Sequence, residues 1–205
     1  MNCRLSEEHV KGCVQQYGSP LYIFHKEEFE DNYKNLLNSI RAIYPKYNIA
    51  YSYKTNYTPR ICQTVKALGG LAEVVSDMEY KLAKRIGYTS NGIVYNGPVK
   101  GSGLFECLSE GGIANIDSLD ELQSVIDYAN ANKGAIVKLA FRVNLDIGQG
   151  FISRFGIDAY EDDKPCELDK AFEWCGKCGN IQVVGLHCHI GRSRSVRFSS
   201  QDGVW

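Results

Sequence analysis

Short apolar runs alternate with helical patterns along most of this chain, and that alternation restricts its fold more than any other feature. Ile49 to Tyr53, Leu71 to Val75, Ile93 to Tyr95, Ile113 to Ile116, Ala135 to Val143 and Ile181 to Leu186 each read as a strand. Helical patterns lie between them. Pro59 opens one that carries Ile61, Val65 and Leu68, and Gly69-Gly70 stops it. Ser76 or Asp77 caps the next, with Leu82, Ala83 and Ile86, which ends at Gly87. Ser118 and Glu121 have the spacing of a capping box ahead of Leu122, Val125, Ile126 and Ala129. Shorter helices fit Leu104 to Leu108 and Leu168 to Cys175. Continuous apolar strands joined by helices imply an α/β fold with a parallel sheet. Six strands in one order fit an open doubly wound sheet or an incomplete (β/α)8 TIM barrel with about six of its eight strands. In both, chemistry gathers at the C-terminal ends of the strands. Lys54, Ser76, Asn96, Asp117, Arg142 and His189 all stand at or just past such ends.

The bulk properties exclude several classes. A formal net charge of -1 over 205 residues gives no reason to expect nucleic acid or an acidic membrane as partner. No apolar run is long enough to span a bilayer, and the N-terminus lacks the apolar stretch of a secretory signal. The expected compartment is the cytosol. The eight cysteines are irregularly spaced and read as reduced, small, buried side chains.

Lys54 follows Tyr51-Ser52-Tyr53 and precedes Thr55-Asn56. In isolation it reads as a solvated lysine. With ring faces and polar groups around it, and with partial burial, its amine becomes a nucleophile suited to forming an imine. His187 and His189 are two apart on a strand and share a face. They read as a packed pair, as a cover for a planar ring, or, with Cys175 and Cys178, as zinc ligands. The cysteines precede the strand and the histidines close it, so about 20 Å of strand separates them, which argues against a shared metal. Trp174-Cys175-Gly176-Lys177-Cys178 mimics a thioredoxin motif, but it ends a helix, where the dipole opposes a thiolate. Gly148-Gln149-Gly150 lies in a long loop flanked by Arg142 and Arg154, either of which suits a phosphate or carboxylate. A lysine at one strand end and a histidine at another suit a bound aldehyde cofactor.

Six segments resemble those of the barrel-fold pyridoxal-phosphate decarboxylases of diaminopimelate, ornithine, arginine and carboxynorspermidine. Tyr51-Ser52-Tyr53-Lys54-Thr55-Asn56 resembles their Y-A-x-K-A-N. Ala72-Glu73-Val74-Val75-Ser76-Asp77-Met78-Glu79 resembles D-V-V-S-x-x-E, and Tyr95-Asn96-Gly97-Pro98-Val99-Lys100 the turn after the next strand. Asn115-Ile116-Asp117-Ser118 with Glu121-Leu122 resembles V-D-S-x-x-E-L. Ser153-Arg154-Phe155-Gly156-Ile157 resembles S-K-F-G-I, and His187-Cys188-His189-Ile190-Gly191 resembles H-x-H-I-G. The last two favour the diaminopimelate branch. Tyr17-Gly18-Ser19-Pro20-Leu21-Tyr22 is similar to the opening Y-G-T-P-L-Y of that family.

The resemblance implies pyridoxal 5'-phosphate as cofactor and an amino acid, foremost meso-diaminopimelate, as small-molecule substrate, with lysine as product. It implies that Lys54 holds the cofactor and moves protons, that His189 stacks on its ring, and that Glu73, Arg142 and Gly191 line it. Family members form homodimers. Two departures stand out: Glu73 replaces an aspartate, and Arg192 replaces a phosphate-binding serine. The expected layout is a segment over 1–25 that joins a β domain missing here, a partial barrel over 26–192, and an irregular tail over 193–205. An open barrel of this kind exposes sheet edges, an aggregation liability. Still open are an ornithine, arginine or carboxynorspermidine decarboxylase, a non-catalytic cofactor-binding product, and a thiol or zinc protein.

Overall fold

The computed structural model describes residues 5–145, 153–159 and 165–189. The chain divides into two units, Met1–Tyr47 and Asn48–Trp205. The first holds two helices, α1 (Glu7–Tyr17) and α2 (Lys26–Arg41). Ser6 starts α1 by accepting from the His9 amide, and Glu7 and Glu8 fill its first turn.

The second unit is built on a parallel sheet. Its strands are β1 (Ala50–Ser52), β2 (Leu71–Val74), β3 (Ile93–Tyr95), β4 (Ile113–Ile116), β5 (Val137–Asn144), β6 (Ile157–Asp158) and β7 (Ile181–Cys188). They run in sequence order from β1 to β6, and β7 also pairs with β5. All pairings are parallel, as the strand-helix alternation requires. The linking helices are α3 (Pro59–Ala67), α4 (Asp77–Ile86), α5 (Gly103–Ser109), α6 (Leu119–Ala131) and α7 (Glu167–Gly176). The sequence reading of six strands is matched, with the two-residue β6 added. Val143 is paired by both β6 and β7. β6 therefore takes the edge of β5 that β4 leaves after Ile116.

Expected and observed helix ends coincide where a specific residue sets them. Pro59 is the first residue of α3. Ser76 rather than Asp77 caps α4, and Gly87 ends it in the left-handed region at φ 97°. Ser118 caps α6. The glutamate three residues on from each serine reaches one residue further back than a simple capping box would. Glu79 Oε2 accepts from the Val75 amide at 2.8 Å, and Glu121 Oε2 from the Asp117 amide at 2.9 Å. Each glutamate thus ties a helix start to the last peptide of the strand before it.

The two faces of the sheet differ. Ala72, Val74, Ile93, Tyr95, Ala114, Ile116, Leu139, Phe141 and Ile157 are buried against the helices. Tyr95 stacks on Tyr80 of α4 at 5.6 Å, and its hydroxyl donates to Asp77 at 2.6 Å. The opposite face carries polar residues near the strand ends. The strands are thus not apolar on both faces, contrary to the sequence reading. β2, for example, alternates between half-buried and buried positions.

After β3 the chain must turn tightly against β2. Gly97 has φ 102°, and a Cβ there would lie 2.6 Å from the Val75 carbonyl oxygen. Lys100 follows, fully buried, and donates to both carboxylate oxygens of Glu121 at 2.9 Å. Burial pulls the Lys100 pKa down and Glu121 opposes that shift. Gly97→Ala is expected to destabilise the chain by about 1–3 kcal/mol from backbone strain alone. Gly134→Ala, where a Cβ meets nothing within 4 Å, should change stability by less than about 0.5 kcal/mol. Urea midpoints of the two variants measure the contrast.

Candidate active site

Register places the polar residues of several strands on one face. Ser52 pairs with Glu73, and Glu73 with Val94. Asn96 lies two residues past Val94. Val94 pairs with Ile113, and Asn115 lies two residues further. Asn115 pairs with Ala140, and Arg142, two residues on, pairs with His187. Side chains alternate along a strand and agree across parallel register partners. Ser52, Glu73, Asn96, Asn115, Arg142 and His187 therefore share the face turned away from the helices.

Lys54 lies two residues past Ser52, in the turn that closes β1. The Tyr53 amide donates to Glu73 O at 2.9 Å as the last sheet bond, and Ser52 O then accepts from the Thr55 amide at 3.2 Å. Lys54 sits at the crest of this turn and is exposed, so the partial burial expected of it is not found. Its neighbours also differ from expectation. Tyr51 pairs with the buried Ala72, on the helix side. Tyr53 is fully buried beside Cys62, and burial pushes its phenol well above the usual range. Neither ring offers its face to the amine by register.

The acids near Lys54 are held from below. Asn115 donates its amide to Asn96 Oδ1, and Asn96 donates to Glu73 Oε1 at 2.8 Å. This amide relay crosses β4, β3 and β2 and ends on a carboxylate. Glu79, at the start of α4, has its pKa raised by burial; the Val75 amide and Lys54 oppose the shift, and Glu73 adds to it. Glu79 thus feels both the Lys54 amine and the Glu73 carboxylate.

The other side of the site is built around Arg142. Its Nη1 donates to Asp117 Oδ1 at 2.7 Å, and both side chains are largely buried. Its guanidinium lies 5.1 Å from the Phe155 ring centre, with Arg154 at 4.9 Å. The sequence reading offered Arg142 and Arg154 to a phosphate or carboxylate, and the carboxylate Arg142 meets is that of Asp117. Gly148-Gln149-Gly150, Gly191 and Arg192 lie outside the described residues.

His187 is half-buried and His189 exposed. Burial lowers the His187 pKa, with Arg142 and His189 adding to the shift and Glu73 and Asp117 opposing it. Among the predicted site residues, Arg142 is the register partner of His187, and His189 lies two residues beyond His187.

Cys175 lies in the last turn of α7 and Cys178 just past that helix, ahead of β7, while His187 lies near the far end of that strand and His189 just beyond it. Burial pushes the Cys175 thiol up to about 11, which disfavours redox chemistry there. The sequence places Asn96 and Asp117 at strand ends and reads His187 as a pair with His189, but it does not offer Asn115 or Glu79 to the site. A polar residue two positions beyond an inward-facing strand residue is the signal that finds Asn115.

A family model described as pyridoxal-dependent decarboxylase, pyridoxal binding domain, matches residues 30–198. A diaminopimelate decarboxylase of Aquifex aeolicus is 31% identical over 193 residues, covering 89% of this chain and 43% of the relative. One from Bacteroides thetaiotaomicron is also 31% identical, covering 84% of this chain and 46% of the relative. Among solved structures, diaminopimelate decarboxylase of M. jannaschii in co-complex with L-lysine superposes with a TM-score of 0.77 at 27% identity. That match covers 89% of this chain and 44% of the other. The chain therefore spans less than half the length of these relatives.

The lowered His187 pKa fixes a pH dependence. The folded chain binds fewer protons at His187 than the unfolded chain once pH falls below about 6.5, so stability should be lost on acidification through that value. His187→Gln should flatten the loss between about pH 7 and pH 5. Urea midpoints for both chains across that range check the sign.

Proposed function

Because this chain belongs to the pyridoxal-dependent decarboxylases, matching over their pyridoxal binding domain, we propose that it carries the lysine-bearing wall of an amino-acid decarboxylase. The proposed substrate is meso-diaminopimelate and the proposed products are lysine and carbon dioxide. The observation that carries this reading is the placement of an exposed amine, Lys54, just past a sheet face that also bears Glu73, Arg142 and His187. His189 lies two residues beyond His187.

This donor set fits pyridoxal 5'-phosphate chemically. The Lys54 amine suits its aldehyde and would hold it covalently. The imidazole of His189 suits the flat face of its ring, and His187 beside it is kept in the neutral form by burial and by Arg142. Glu73, oriented by the Asn96 amide, and Arg142 would line the ring, and Gly191 the phosphate. Bound there, the cofactor supplies an electron sink for loss of a substrate carboxylate. Lys54 Nζ is then placed to deliver and accept protons at the substrate carbon. In this reading residues 26–192 belong to the cofactor-binding barrel and residues 1–25 to a segment that joins a further domain, while residues 193–205 lie outside the described residues. A homodimer working in the cytosol completes it.

The test has two parts. Pyridoxal phosphate added to the chain should give the visible band of a lysine-bound cofactor, and borohydride should fix it on Lys54, as mapped by peptide mass. Lys54→Ala should abolish the band. Carbon dioxide release from diaminopimelate, with ornithine, arginine and carboxynorspermidine as competitors, then identifies the substrate. A folded chain that fixes no cofactor on Lys54 contradicts the proposal.

A further inference from the structure

We infer that Asp117 is a positioning residue of the site, holding Arg142 and the segment before β6 as one unit beside His187. The inference rests on the cofactor reading above for its functional meaning, but its geometry stands apart from it.

Asp117 lies just past β4, and its carboxylate faces two ways. Oδ1 accepts from Arg142 Nη1 at 2.7 Å, and Oδ2 accepts from the Gly156 amide at 3.3 Å. Its own amide is bound by Glu121, which is in turn bound by the buried Lys100. The carboxylate is thus fixed from behind before it fixes anything else. Gly156 can approach so closely because it has no side chain. Its φ is 95°, and a Cβ would meet Arg142 O, Asn144 N and Val143 C at 3.1 Å. Phe155, the neighbouring residue, then lies against the free face of the Arg142 guanidinium. Asn144 closes the other end of the segment, donating to Ser153 O at 2.9 Å and to Asp158 Oδ1 at 2.7 Å.

The arrangement has a consequence for charge as well as place. Arg142 is the register partner of His187. The charged and titratable groups acting on that imidazole are Arg142 from β5, Glu73 from β2, Asp117 from the end of β4 and His189 from its own strand. Asp117 neutralises Arg142, the register partner of His187. Without it, Arg142 would be free to swing and would present an unbalanced charge to the imidazole and to any cation formed at Lys54.

The test uses the whole chain, with Asp117→Asn as the variant. In the cofactor-free chain, the NMR titration of the His187 imidazole should move to lower pH by roughly half a unit or more. In the loaded chain, the pH at which the visible band loses its proton should fall as well, since a positive charge has been unmasked. A folded Asp117→Asn chain with both midpoints unchanged overturns the inference and leaves the cofactor reading intact. If the parent chain fixes no cofactor on Lys54, the cofactor reading fails, and the His187 titration still decides whether Asp117 governs Arg142. Should Asp117→Asn fail to fold, the parent chain decides alone. Resolved Arg142 Nη signals with slow exchange support the pairing, and averaged signals of a freely rotating guanidinium overturn it.

Discussion

Polar side chains on the inner face of a curled sheet must find partners on neighbouring strands, because burial removes the water that would otherwise satisfy them. That constraint organises the whole strand-end layer. Asn115 binds Asn96, Asn96 binds Glu73, and Arg142 binds Asp117. Each bond joins two different strands or the residues just past them. The layer is consequently a polar belt of two bonded groups rather than a set of independent side chains, and it turns strand register into site geometry. The glutamates Glu79 and Glu121 anchor the belt, since each binds the last peptide of a strand from the first turn of the next helix.

The belt also explains how charge is distributed around Lys54. Lys54 acts on the Glu79 carboxylate at the start of α4, and Arg142 on β5 carries its own counter-ion in Asp117. An exposed amine and a half-buried, neutral-leaning imidazole thus lie at strand ends of one sheet. The amine suits an aldehyde-bearing group. The cysteines, by contrast, lie at the opposite end of β7 from the histidines, and Cys175 is held as a thiol by burial.

Much of this was legible in the sequence because single residues fixed the element boundaries. Pro59, Ser76, Gly87 and Ser118 do in the structure what their chemistry predicts. The failures have equally local causes. β6 has only two residues, too few for any periodicity. α1 buries no side chain and so presents no apolar stripe to read. Tyr51 and Tyr53 adjoin the lysine in sequence, whereas strand alternation turns them to the helices. The role of Asp117 depends on a contact 25 residues away with Arg142 and another 39 residues away with Gly156, which no local pattern encodes.

The most direct test of the central claim is a crystal structure of the chain grown with pyridoxal phosphate. Continuous electron density from Lys54 Nζ to the pyridine ring is predicted, with the His189 imidazole against the ring face and Arg142 still paired with Asp117. A ring bound elsewhere, or density at Lys54 that ends at the free amine while the cofactor occupies another pocket, would contradict it.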